Sequence, residues 1–174
     1  AQILKKIRDE IDADWGFNLH DQNRYYAAGS NPKTATISFL APAFNAQKEI
    51  NFGRANAMKL ISEMNSALQL YIPDKVAKYS DSFEPRAFGD NIQKWGTNTI
   101  LIESGALKGD REKQEIRILN YMILLTAFES IATGKYAKRG VDEYEKIQML
   151  PQIVEMVHLS NKNTILYRIE IYKR

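Results

Sequence analysis

The chain has 174 residues, 44% of them hydrophobic and 26% charged, with a formal net charge of +3 and no cysteine. That apolar content excludes a disordered chain, and the length suits one domain with a substantial core. The lack of cysteine excludes disulfides and thiolate zinc sites, and the small positive excess is too dilute for a nucleic-acid footprint.

Ile3, Leu4, Ile7 and Ile11 recur at helical spacing, with Lys5, Lys6, Arg8 and Glu10 between them, so the chain opens in an amphipathic helix. A chain that starts in helix at Ala1 is expected to begin inside a larger structure. Residues 15–20, Trp-Gly-Phe-Asn-Leu-His, predict a short strand that ends at the polar cluster His20-Asp21-Gln22-Asn23-Arg24. A loop with Gly29, Ser30, Asn31 and Pro32 leads to a second strand over 34–40.

From about 47 to 71 the pattern is helical, with Ile50, Met58, Ile61, Met64 and Leu68 on its buried side and Pro73 as its stop. Residues 74–90 read as irregular. A short amphipathic turn reaches Trp95 and breaks at Gly96, and Thr99-Ile100-Leu101-Ile102 then forms an apolar run suited to a strand covered on both faces. It ends at Glu103-Ser104-Gly105.

A helix over 110–132 follows, with Ile116, Leu119, Ile123, Leu124 and Ala127 toward the core and Gly134 as its stop. Lys135, Lys138 and Arg139 read as a solvated turn. The tail holds a charged segment 141–149, Pro151, a short helix and a last strand near 164–172. No apolar run is expected to approach the roughly 20 residues that a bilayer crossing takes. Strands alternating with long helices predict an α/β class, with a mostly parallel or mixed sheet flanked by helices.

Chemistry in such folds sits at strand ends, and two polar side chains occupy them: His20 and Glu103. The chain has only two histidines, His20 and His158, so a metal site made by it alone would have to be rich in carboxylates. A carboxylate ending an apolar strand is desolvated, which lifts it toward the working range of a general base. The plainer readings are a hydrogen-bonded structural histidine, and a glutamate that caps a helix or pairs with Arg111.

Three blocks then bear on identity: Phe17-Asn18-Leu19-His20-Asp21-Gln22, residues 34–42 (Thr-Ala-Thr-Ile-Ser-Phe-Leu-Ala-Pro), and Thr99-Ile100-Leu101-Ile102-Glu103-Ser104-Gly105. Together with Tyr71-Ile72-Pro73 and Phe88-Gly89-Asp90 they resemble, in order and over about residues 10–132, the M14 zinc carboxypeptidases of the bacterial subgroup. The resemblance implies a zinc-carboxypeptidase-like (phosphorylase/hydrolase-like) fold, with 1–134 as the C-terminal part of its catalytic domain and 135–174 as an extension packed on it. It implies His20 as the third zinc ligand and Glu103 as the base that takes a proton from zinc-bound water and passes it to the leaving amine. Asp90 falls near the family's side-chain specificity pocket, although an N-cap of the turn after it is the plainer role. Tyr79 matches a mobile tyrosine that covers substrate, and Asp21 and Gln22 are placed to orient His20.

The departures matter as much. His20 is followed by Asp21-Gln22-Asn23, so the His-x-x-Glu zinc pair is absent, as are the residues that grip a substrate carboxylate, and Ala106 stands where a histidine often follows the glutamate block. The chain is therefore expected to be one part of a zinc metallocarboxypeptidase, inactive alone, whose partners are a peptide or N-acyl amino acid substrate and the missing N-terminal half. A zinc-dependent deacylase of the same fold and a non-catalytic binding module are the alternatives. Neither nucleic acid nor membrane is an expected partner, and the compartment stays open between bacterial cytoplasm and periplasm. A sheet open at one edge is expected to form a homodimer through it.

Overall fold

A computed structural model describes residues 2–30, 33–150, 154–161 and 164–171, the last two segments by their backbone alone. The elements are α1 (Gln2–Ile11), β1 (Trp15–Asp21), β2 (Ile37–Leu40), α2 (Phe52–Gln69), β3 (Val76–Lys78), α3 (Phe88–Lys94), β4 (Asn98–Ser104), α4 (Gln114–Thr133), a 3-10 turn (Lys135–Lys138), α5 (Val141–Glu145), β5 (Val154–Asn161) and β6 (Thr164–Ile171). The class is α/β. One sheet runs β1-β4-β2-β3, with β1 and β4 parallel, β2 and β3 parallel, and β2 antiparallel to β4.

The alternation of side chains along a strand divides this sheet into two unlike faces. Ile37, Phe39, Ile100 and Ile102 turn to one face and are buried against Met58, Ile61, Met64 and Leu68 of α2 and Ile116, Leu119, Ile123 and Ala127 of α4. Tyr144 and Ile147 close that core from the C-terminal side, where the Tyr144 hydroxyl accepts a hydrogen bond from the Ala41 amide at 3.2 Å. The opposite face carries His20, Glu103, Ser38 and Ala77 in one register row across all four strands.

Several expectations are corrected. The strand expected over 34–40 is regular only from Ile37, and Thr34 makes an isolated bridge with Ala27. Asn51 caps α2 by accepting from the Arg54 amide, so the helix starts at Phe52 and Ile50 stays outside it, exposed. The segment read as irregular contains β3, a three-residue edge strand, and the start of α3. Ile3, Ile7 and Ile11 are exposed, and α1 buries none of its residues.

The basic turn is not merely solvated. Lys135 and Arg139 both pair with Glu63, a buried carboxylate of α2, at 2.5 and 2.6 Å. The stretch expected as a short helix after Pro151 is the strand β5, which forms an antiparallel hairpin with β6. His158 lies on β5, among residues described by backbone alone. Finally, α4 is long and apolar enough to cross a bilayer by length and composition, contrary to the absence expected of such a run; its Ile116, Leu119, Ile123 and Ala127 nevertheless pack into the core.

Candidate functional site

β1 and β4 run parallel and end side by side, because Trp15↔Asn98 through Asp21↔Ser104 pair without a bulge. That register sets His20 directly beside Glu103 on the same face. His20 Nδ1 stands 3.5 Å from Glu103 Oε1, a charge contact longer than an ordinary hydrogen bond. The two are unequally exposed: the histidine side chain is 52% accessible and the glutamate side chain 11%. A carboxylate is thus held at the floor of a site whose imidazole faces solvent.

Burial pushes the Glu103 carboxyl up from its ordinary range, with His20 pulling it back down and Asp21 adding to the rise. Arg111 is exposed, and the charges acting on Glu103 are those of His20 and Asp21. The ion pair weighed for Arg111 is therefore replaced by the histidine contact, and Glu103 lies within β4 rather than at a helix cap.

The remaining sequence candidates divide. Gln22 is buried and acts as a cross-brace: its amide donates to the Ser104 carbonyl at 2.9 Å, its Nε2 to the Ala35 carbonyl at 3.0 Å, and its Oε1 accepts from the Tyr79 hydroxyl at 2.9 Å. It orients Tyr79 rather than His20. The Tyr79 ring also meets Tyr26 edge-on, with centroids 6.2 Å apart, so the tyrosine expected to be mobile is tied down at both hydroxyl and ring. Burial, and then the charge of Glu103, push its hydroxyl up, so it remains a protonated donor beside the carboxylate.

Asp21 is exposed and pairs with Lys113, whose ammonium also reaches the Ser104 carbonyl and so ties the ends of β1 and β4 together. Asp90 is neither cap nor neighbour of this pair: the cap of α3 is Ala87, and the Asp90 carboxylate accepts the Glu84 amide at 2.6 Å. It is buried, and burial and the nearby Glu84 charge push it up while that hydrogen bond and Arg54 pull it down.

Three residues of the surroundings carried no usable sequence signal. Ser38 is fully buried, stands beside Glu103 in the register row, and its hydroxyl has no hydrogen-bond partner. Gly105 is required by close approach: a Cβ there would lie 2.0 Å from the Ala35 carbonyl oxygen and 2.5 Å from Gln22 Nε2. Arg54 is buried beneath the loop that follows Tyr79, donating to the carbonyls of Ala41, Lys48 and Glu49 and pairing with Asp81 at 2.6 Å. A serine inside a β-branched run, a glycine after a strand and an arginine in a helix are each too common to stand out.

No family model, curated protein or solved structure matches this chain. What the site can do follows from its own groups.

A resident zinc requires three protein ligands in a catalytic site. Among the described residues no three metal-ligating side chains come together. Among the described side chains the site offers one imidazole, His20, with a raised carboxylate beside it, and these do not by themselves fit a zinc.

Proposed function

We propose that His20 and Glu103 are one part of a hydrolase site of the zinc-carboxypeptidase kind, with His20 as a ligand and Glu103 as the general base. The observation that carries this reading is the register row: two parallel strands end with an open imidazole beside a buried, raised carboxylate 3.5 Å away. A strand-end position at the carboxyl edge is where α/β sheets hold substrate. A lifted carboxylate takes a proton from water and gives it up again near neutral pH, which a fully solvated one does poorly. The Tyr79 hydroxyl, fixed by Gln22, remains a donor on the same floor. The other ligands and the groups that grip a substrate carboxylate belong to polypeptide outside this sequence.

A bound zinc would supply an acidified water and a polarised carbonyl. The part played by this chain is to hold one imidazole and to move the proton at Glu103. Peptides cut at their C-terminal bond and N-acyl amino acids are the substrates to compare.

The 174-residue chain alone is expected to show neither tight one-to-one zinc binding nor peptidase turnover. In the protein that supplies the remaining ligands, Glu103→Gln should lower turnover by roughly 10²- to 10⁴-fold with KM little changed. Unchanged turnover in a folded Glu103→Gln protein would defeat the catalytic reading and leave a binding role.

A further inference from the structure

Lys113 breaks two local rules. It stands just before α4, a position that favours Ser, Thr, Asp or Asn because their side chains accept a free helix amide, and a lysine has no acceptor to offer. Asp110 accepts the Ile116 amide instead, at 2.9 Å. The Lys113 backbone is also left-handed, with φ 54° and ψ 29°, a region that glycine enters freely and a lysine at a cost. Such a residue is held by something beyond its own helix.

What holds it is the far end of its side chain. The ammonium donates to the Asp21 carboxylate at the end of β1, and to the Ser104 carbonyl at the end of β4, the latter at 3.3 Å. Asp21 and Ser104 are the last register pair of the two strands, and His20 and Glu103 are the pair before it. The Ser104 carbonyl also accepts the Gln22 amide at 2.9 Å. Seven residues farther along, Asn120 donates to the Ser104 hydroxyl at 3.0 Å. α4 thus grips the end of β4 twice, and through Lys113 it also holds the end of β1.

The His20–Glu103 contact does not fix its own length, because 3.5 Å is too long for an ordinary hydrogen bond. Its spacing is set by the backbone on either side. Among the described residues β1 has β4 as its one sheet neighbour, and the end of an edge strand is where a ladder frays first. On the reading of that pair as a hydrolase site, we propose that Lys113 is its positioning residue, whose ammonium closes the ends of β1 and β4 and so keeps the imidazole against the carboxylate. The Lys113 and Asp21 side chains are 35% and 69% exposed, so their pairing adds little to global stability. Its effect is on where two strand ends lie.

Hydrogen exchange and NMR on the 174-residue chain test the clamp without catalysis. In Lys113→Met the Gln22 amide should exchange about fivefold faster, as loss of an exposed ion pair allows, while the Ile102 amide in the middle of the sheet stays unchanged. Contacts between the His20 ring and the Glu103 methylene protons should weaken with it, and Lys113→Arg should restore both. Lys113→Gly separates position from stability. Glycine suits the left-handed backbone, so this variant should unfold no earlier than the parent and still show fast Gln22 exchange. Lys146→Met, which removes the exposed pair with Asp142, should move neither readout.

In the protein that supplies the remaining ligands, Lys113→Met should lower kcat about tenfold with KM little changed, since a misplacement of about 1 Å costs on the order of 10²-fold and this one is smaller. Gln22 exchange and His20–Glu103 contacts indifferent to Lys113→Met overturn the proposal, whatever becomes of the zinc site. So does an unchanged kcat in a protein whose turnover Glu103→Gln abolishes. Turnover that survives Glu103→Gln defeats the catalytic reading instead, and the exchange data then decide on the clamp by themselves.

Discussion

The two faces of one short sheet follow opposite rules. Ile102 and Glu103 are neighbours in β4, both buried, yet the first belongs to the hydrocarbon core with α2 and α4 and the second stands beside the His20 imidazole. On the Ile102 face α2 and α4 cover β2 and β4, where the packing energy is cumulative, and Leu19 at the β1 edge stays open. On the Glu103 face the cover is α3, loops and single side chains, and the row His20-Glu103-Ser38-Ala77 contains a desolvated carboxylate and a hydroxyl without a partner. The apolar burial that stabilises the fold is concentrated on the first face, and the second holds buried polar groups whose needs are only partly met.

Truncating the core face should cost most. Ile102→Ala removes a side chain that is almost fully buried between α2 and α4, and the expected loss is about 3 kcal/mol in urea or thermal unfolding. A loss well under 1 kcal/mol would mean the helix layer collapses onto the gap, and the distinction between the faces would blur.

Gly105→Ala probes the other face without touching an ionisable group. Its new Cβ would meet the Ala35 carbonyl at 2.0 Å and displace Gln22, so a loss of about 2 kcal/mol is expected. The diagnostic is local: with Gln22 moved, the Tyr79 hydroxyl loses its acceptor, and NMR shifts should change around Tyr79 and Tyr26 more than in the α2–α4 core. Shift changes spread evenly over both faces would show that the brace is not a separate unit.

How much of this was legible in the sequence follows from which forces act locally. β1, β4 and the cores of α2 and α4 have periodic apolar residues, and periodicity is a property of the chain itself; Met58, Ile61, Ile116 and Ile123 are buried as their spacing predicts. His20 and Glu103 stood out because a polar residue ending an apolar strand is conspicuous, but their contact is a register fact, and no local pattern fixes that Leu19 pairs with Ile102. β3 went unseen because three residues, Val-Ala-Lys, show no alternation, and because their partner β2 lies 39 positions earlier at Ile37↔Val76. The roles of Gln22, Arg54 and Glu63 depend on side chains reaching across 13 to 76 positions, so composition named the residues without placing them. The exposed stripe on α1 shows the limit from the other side: helical spacing shows that a face exists, not that anything covers it.

The smallest expected effect has the opposite sign. Glu103 has its carboxyl raised chiefly by burial, so the native state holds its proton more tightly than the unfolded chain does. Between the ordinary glutamate value of 4.5 and the raised native one, the native state binds more protons, so this group makes stability fall as pH rises through that window. Below the window both states are protonated and the cost vanishes; above it the partly desolvated carboxylate is charged and the cost is complete. Glu103→Gln keeps the shape, removes the charge and should stabilise the protein by about 0.5 kcal/mol at pH 7.5, with no gain at pH 4. Denaturation curves of both proteins at the two pH values would show it. A glutamine variant that is less stable at pH 7.5 would mean that the His20 contact outweighs desolvation, so that Glu103 belongs with the groups that hold the fold together rather than with those strained against it.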